Sequence, residues 1–271
     1  MRRFSMSFRR QGNVTPEPLK TDLVKLGILM KQVSEFTTDD IGKVDVSIPY
    51  TDANGVISGP IVFEVVGVNH HTTTEHPKTI TLMTKNIIRK AAFDAEEPNN
   101  NDSNRKTGGN SRWSVSNIRQ WLNSPAAAGK WFTAQHTADV APTYVSEPGF
   151  LAGFSANILQ HFTDITNITA LCNVDGGGSE TTVDKVFLPS RTEMGYGNTN
   201  NIVEGTHLSL KYKDDNSKIK QWNESNDAYW MRTPYPVMRA SYVYAVSTSP
   251  NIAYYPTANS NIGIAPIIVL H

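Results

Sequence analysis

A single cysteine stands in a chain of 271 residues. Lone Cys172 excludes an intramolecular disulfide framework and any thiolate-only zinc site within one chain. It reads as a small buried hydrophobe. An excess of either charge is also missing, since Lys and Arg number 25 and so do Asp and Glu. Zero formal net charge gives no electrostatic ground for a nucleic-acid or membrane-surface partner. No apolar run approaches the roughly 18 residues that a membrane helix needs. The opening M-R-R-F-S-M-S-F-R-R has the charges of a signal n-region but no apolar core behind them. The expectation is synthesis in the cytoplasm, with exit by lysis or as part of a particle. Long helical periodicities are few, whereas Tyr, Asn, Ser, Thr and Gly are plentiful. That balance predicts a loop-rich α+β domain with short antiparallel strands and two principal helices.

The strongest local pattern is W-S-V-S-N-I-R-Q-W-L-N-S at Trp113–Ser124. Ile118, Trp121 and Leu122 recur at i, i+3 and i+4 and so share one helix face. Ser114 or Ser116 can cap the first turn, and Asn123, Ser124 and Pro125 stop it. Each indole needs a partner for its N–H. Asn117, Arg119 and Asn123 read as groups that satisfy neighbouring loops; a catalytic Arg or Asn here lacks an adjacent base or nucleophile. The second predicted helix is Glu147–Phe162, with Leu151, Phe154, Ile158 and Phe162 on one face.

Residues 1–20 stand apart. Arg2, Arg3, Arg9 and Arg10 flank Phe4, Met6 and Phe8, which alternate as in a strand, and Pro16 and Pro18 mark an extended linker. This apolar-basic alternation suits strand addition to a partner, so the segment is expected to dock. Residues 21–271 are expected to form one domain. After an amphipathic piece at Leu23–Leu29, Val44, Val46 and Ile48 alternate with polar residues. Pro60–Val68 follows a turn with an Asn54-Gly55 signal, which predicts a hairpin. Thr79–Thr84 and Lys185–Pro189 read as strands, and a short helix is placed near Val203–Leu210. Asp227–Pro234, Tyr242–Val246, Ile252–Tyr255 and Ile262–Leu270 make the C-terminal end strand-rich.

Three stretches invite a site. His70, His71, Glu75 and His76 crowd within seven residues. Yet neighbouring histidines on a strand point to opposite faces, and no H-E-x-x-H helix exists, so a polar hairpin loop is expected. Phe93–Gly109 contains Glu97-Pro98-Asn99, with Asp94, Asn101 and Asp102 adding oxygens suited to a hard cation. The tripeptide is the one calcium-dependent lectins use, but its usual W-N-D companion is replaced by distant Trp222-Asn223-Glu224. An Ω-type loop is expected here. Gly176-Gly177-Gly178 reads as a flexible turn, since no G-K-[ST] follows. No catalytic residue, cofactor or metal is expected, although His136, His161 and Asp164 could meet only in the fold. The recognition chemistry lies at the C-terminal end. Tyr235, Tyr242, Tyr244, Tyr254 and Tyr255 cluster there with Asn251, Asn259 and Asn261, and rigid Tyr with adaptable Asn suits a binding surface. Cross-strand aromatic pairing that merely holds a sheet is the competing reading.

Several motifs in fixed order complete the picture: T-L-M-T-K-N-I-I (81–88), F-D-A-E-E-P-N-N (93–100), G-N-S-R-W-S-V-S-N-I-R-Q-W-L-N-S (109–124), D-K-V-F-L-P-S (184–190), Y-W-M-R-T-P (229–234) and G-I-A-P-I-I-V-L (263–270). Together they resemble an uncharacterised family encoded in Firmicute genomes, prophages and tailed phages. Its C-terminal half is similar to the C-type-lectin-like and formylglycine-generating-enzyme-like fold. The resemblance covers about residues 21–271. It implies a virion setting, other phage structural proteins as partners, multimeric display, and a surface for host glycan or protein. A decoration protein without a ligand is the alternative it leaves open. Members usually close with G-V-R-P, and here Ala265 replaces the arginine. One cysteine cannot supply the active-site pair of the oxidase relatives.

Overall fold

Alternation sets the first hairpin. Asp45 and Ser47 face solvent while Val46 and Ile48 turn inward, as the period of two requires. The computed structural model describes residues 22–271 apart from 58, 238 and 250. The predicted docking residues Arg2, Arg3, Phe4, Phe8, Arg9 and Arg10 therefore lie outside the described residues.

In chain order the strands are β1 (Asp45–Ile48), β2 (Ile61–Val68), β3 (Ile80–Thr84), β4 (Arg89–Lys90), β5 (Ile165–Ala170), β6 (Ser179–Asp184) and β7 (Val186–Phe187). They continue as β8 (Lys220–Trp222), β9 (Ser225–Asp227), β10 (Tyr229–Pro234), β11 (Tyr242–Val246), β12 (Ile252–Pro256), β13 (Gly263–Ile264) and β14 (Ile267–Leu270). The α-helices are α1 (Asp22–Lys25), α2 (Ser103–Gly108), α3 (Asn117–Leu122) and α4 (Ala156–Leu159). About 17% helix and 26% strand, with several antiparallel sheets, make this a loop-rich α+β fold. Among the described residues no helix is long and apolar enough to cross a membrane.

One five-stranded sheet runs β1-β2-β3-β14-β7 and is antiparallel throughout. Its inner strands β3 and β14 are buried on both faces, which is why I-T-L-M-T and I-I-V-L read as near-continuous rather than alternating. A bulge between Val65 and Gly67 shifts the β2–β3 register. The second sheet runs β12-β11-β10-β13-β4, with β10 and β13 parallel. The predicted strand at Ile262–Leu270 is split at Ala265-Pro266, so β13 serves one sheet and β14 the other. Two hairpins, β5–β6 and β8–β9, complete the strands.

The helix predicted at Trp113–Ser124 forms where the pattern placed it. A 3-10 turn at Trp113–Val115 leads to Ser116, whose hydroxyl accepts from Arg119 N at 3.3 Å and caps α3. Ile118, Trp121 and Leu122 are buried. Trp113 Nε1 donates to Asp184 at 3.0 Å, and Trp121 Nε1 donates to the Pro148 carbonyl at 3.0 Å.

The second principal helix is a correction. Glu147–Phe162 is instead a 3-10 turn at Phe150–Gly153 followed by the four-residue α4. Phe154 and Ser155 between them are extended, so the helical ladder stops. Leu151, Phe154, Ile158 and Phe162 are still buried, each turn delivering its own pair. Val203–Leu210 is irregular chain that ends in a turn rather than a helix. Cys172 is buried as expected, and burial raises its thiol pKa.

Candidate functional site: an aromatic platform

Strands β11 and β12 pair with Tyr244 opposite Tyr254. Side chains two apart share a sheet face, so Tyr242, Tyr244 and Tyr254 stand together. Tyr235 lies just beyond β10, held by a bond from its N–H to the Tyr242 carbonyl at 2.8 Å. Its ring stacks on Tyr254 with centroids 4.3 Å apart and meets Tyr244 edge-on at 5.5 Å. Tyr242 lies 6.0 Å from Tyr254. Tyr244 is buried at the base, and Tyr254 is 48% exposed at the top.

Two cations rim the rings. The Arg191 guanidinium carbon lies 5.1 Å from the Tyr244 ring centroid, and that of Arg239 lies 4.8 Å from Tyr242. Arg239 Nη1 also donates to the Tyr242 hydroxyl at 2.7 Å. Arg191 is positioned from below. Its backbone N–H donates to Thr233 Oγ1 at 2.8 Å, and that hydroxyl donates to Glu204 at 2.7 Å. Its Nη1 donates to the Asn198 carbonyl at 2.8 Å. Burial raises the Tyr244 pKa, with Arg191 opposing, so the ring remains a neutral phenol. The result is a shallow face offering π-surfaces, phenolic hydroxyls and guanidinium donors, suited to stacking and to polar or anionic groups.

The structure divides the residues singled out from sequence. Tyr255 points to the other face of the sheet, 6.3 Å from the Trp230 ring, because it follows Tyr254 directly. Asn251 sits in the β11–β12 turn, bonding through its backbone to Ser247 and Ser249. Asn259 accepts from Asn261 N at 2.9 Å in a turn of its own. Neither asparagine makes a hydrogen bond to the rings. Arg191 and Arg239 were missed: no spacing links Arg191 to the tyrosine segment, and Arg239, three residues before Tyr242, could have been read from its neighbourhood.

The histidine-rich loop does not converge. Asn69 adopts φ 51°, a left-handed conformation that Asn tolerates, and the chain bends. His70 and His71 then lie ring to ring at 4.7 Å rather than on opposite faces. His70 Nε2 contacts the Thr206 carbonyl at 3.1 Å, and His71 contacts Thr81 Oγ1 at 3.0 Å and Glu193 at 3.3 Å. His76 instead stacks on His271. Two carboxylates of the loop that holds Glu97-Pro98-Asn99 are committed to backbone. Asp94 accepts from Asn110 N and Asn117 N at 2.8 and 2.9 Å. Asp102 caps α2 by accepting from Asn104 N at 2.8 Å. His161 lies 5.9 Å from His271, and Asp164 pairs with Lys185 at 3.2 Å; His136 lies with Glu97 and Asp139 instead.

A groove of about 550 Å³ is lined by Ile61, Val62, Lys85, Trp222, Asn223 and Glu224 among others. Its titratable members are Lys85 and Glu224, and Lys85 pairs with Asp45 at 2.5 Å, which leaves no acid–base or nucleophile pair in its lining.

Residues 78–271 match a family described as a domain of unknown function, DUF6273. That span is well over half of the chain, which belongs to this family. β2 pairs with β3, so the hairpin preceding the matched span is part of the same sheet. No curated protein and no solved structure matches the chain.

Proposed function

We propose that this chain is a binding protein of a tailed-phage particle that presents its tyrosine platform to a glycan or protein on the host surface. The observation that carries the reading is the platform itself. Tyr235, Tyr242, Tyr244 and Tyr254 meet in one cluster with an exposed top and two guanidinium groups at its rim. Aromatic faces with adjacent donors stack on sugar rings while satisfying hydroxyl and acidic groups. The phage setting rests on the ordered motifs from 81 to 270. They also support reading the α+β body as C-type-lectin-like, and the basic-aromatic segment 1–20 as its attachment to other particle proteins. Many copies of a weak site give high avidity without new contacts. The role is binding rather than turnover.

The test displays the full chain multivalently on beads and measures retention of host cells and of purified cell-wall glycan. Tyr254→Ala should weaken retention about thirtyfold or more, the scale of an aromatic hot spot, while the chain stays folded with a loss of about 1–2 kcal/mol from the lost ring contacts. No retention of either target by the multivalent chain would leave a purely structural decoration protein as the better reading. Retention of glycan-stripped cells at full strength would identify a protein receptor.

A further inference from the structure

Independently of the platform, two loops meet around one imidazole. Glu97 follows β4 and is fully buried. His136 and Asp139 come from the segment between α3 and the 3-10 turn at Thr143–Ser146. His136 Nε2 lies 3.2 Å from Glu97 Oε1 and 3.0 Å from Asp139 Oδ1, and the three donor atoms lie within 4.8 Å of one another. The Asn110 amide nitrogen is 3.3 Å from the same Nε2.

Hydrogen bonding alone does not satisfy this arrangement. An imidazole nitrogen offers one proton or one lone pair, and here it faces two carboxylate oxygens at once. Asp139 is supported through its other oxygen, which accepts from the backbone N–H groups of Gln135 and His136. Glu97 Oε2 accepts from Asn100. Glu97 Oε1 is buried with no hydrogen-bond partner, and it points at the centre of the cluster. Two carboxylate oxygens therefore converge on one imidazole nitrogen, an arrangement that a bound cation would satisfy.

The spacing fits a metal ion. Bond lengths of about 2.0–2.2 Å to N and O ligands place neighbouring donor atoms about 2.8–3.6 Å apart across octahedral and tetrahedral geometry. Both His136 distances fall in that interval. We propose that Glu97, His136 and Asp139 bind a divalent transition-metal ion of the Zn²⁺ or Mn²⁺ class, joining the Glu97 loop to the His136–Asp139 loop. One imidazole with two carboxylates favours such an ion over Ca²⁺, which requires six to eight oxygens. The backbone bonds to Asp139 supply the outer support that metal-ligating carboxylates use. His136 is 34% exposed, which leaves a path for the ion and for a water in the remaining position.

The experiment uses the full chain, stripped with chelator and titrated calorimetrically with Zn²⁺, Mn²⁺ and Ca²⁺ separately. The expected result is one equivalent of Zn²⁺ or Mn²⁺, a raised Tm with that ion, and weaker uptake of Ca²⁺. His136→Ala removes a side chain that is 34% exposed, and its metal-free Tm checks that the chain stays folded. It should lower affinity by at least about 10- to 100-fold, the loss that even outer-shell changes cause. Asp139→Asn should act the same way, and His76→Ala should have no effect. No uptake of Zn²⁺ or Mn²⁺, uptake that survives His136→Ala, or tighter binding of Ca²⁺ than of both would each overturn the proposal.

Discussion

Arg232 and Glu193, 39 positions apart, form a two-point ion pair in the interior. Nη1 donates to Oε2 at 2.7 Å and Nη2 to Oε1 at 3.1 Å, and both side chains are 1% exposed. Arg232 spends its other bonds on the carbonyls of Leu188 and Glu204, tying β10 to the segment that carries Arg191. Burial alone would raise the Glu193 carboxyl, but Arg232 and His71 overcome it and hold the group well below the usual range.

Glu193→Gln should therefore cost about 3–5 kcal/mol, because it leaves the Arg232 charge buried and uncompensated. Urea unfolding at neutral pH measures this. The folded-state pKa is depressed, so the contribution of Glu193 is present above its unfolded value of about 4.3 and is lost as pH falls below it. Glu193→Gln should accordingly flatten the acid side of the stability curve. An acid limb as steep as that of the parent chain would refute the assignment.

Asp184 gives a second case. Its carboxylate accepts from Trp113 Nε1, Arg119 Nε, Asn167 Nδ2 and Thr182 Oγ1 at 3.0, 2.6, 3.1 and 2.6 Å. Asp184→Ala orphans these donors together and should destabilise by about 3–5 kcal/mol. The loss should be accompanied by altered tryptophan fluorescence, since the Trp113 indole loses its partner. A change under 1 kcal/mol would show that water replaces the carboxylate at little cost.

His271 contributes pH dependence above the carboxylate range, as does His70, whose pKa burial also lowers. Burial lowers the His271 pKa to about 4, helped by the charges of His76, His161 and Lys185; Thr163 Oγ1 contacts its Nδ1 at 3.1 Å. An unfolded histidine titrates near 6.5, so the fold favours the neutral ring. Stability should be full above about pH 6.5 and decline as pH falls toward 4, with the slope between 6.5 and 5 reduced in His271→Gln. Thermal unfolding across that window tests it, and an unchanged slope would assign the dependence to other groups.

Elements whose apolar positions face the core were legible. Ile118, Trp121 and Leu122 announce α3, and β3 and β14 read as strands because burial on both faces makes them continuously apolar. The false helix at Glu147–Phe162 arose because two separate turns bury residues at helical spacing. The β5–β6 hairpin was missed for the opposite reason. Its inward positions include Asn167, Thr182 and Asp184, while Ile168 and Val183 are 43% and 59% exposed. Hydropathy alternation is inverted there because the buried face is a hydrogen-bond network around Asp184.

For the platform, clustering along the sequence groups Tyr255 with the other tyrosines, although the period of two within β12 sets it on the face opposite Tyr254. That follows from backbone geometry, which neighbouring residues set among themselves. Which face was exposed, and that Arg191 would reach Tyr244, depended on β10 pairing with β11 and on Thr233 holding the segment after β7. Likewise Glu97, Asn110, His136 and Asp139 share no local pattern. The sheet order and the two loops around α2 and α3 bring them together, and contacts between positions so distant in the chain are decided by packing rather than by local sequence.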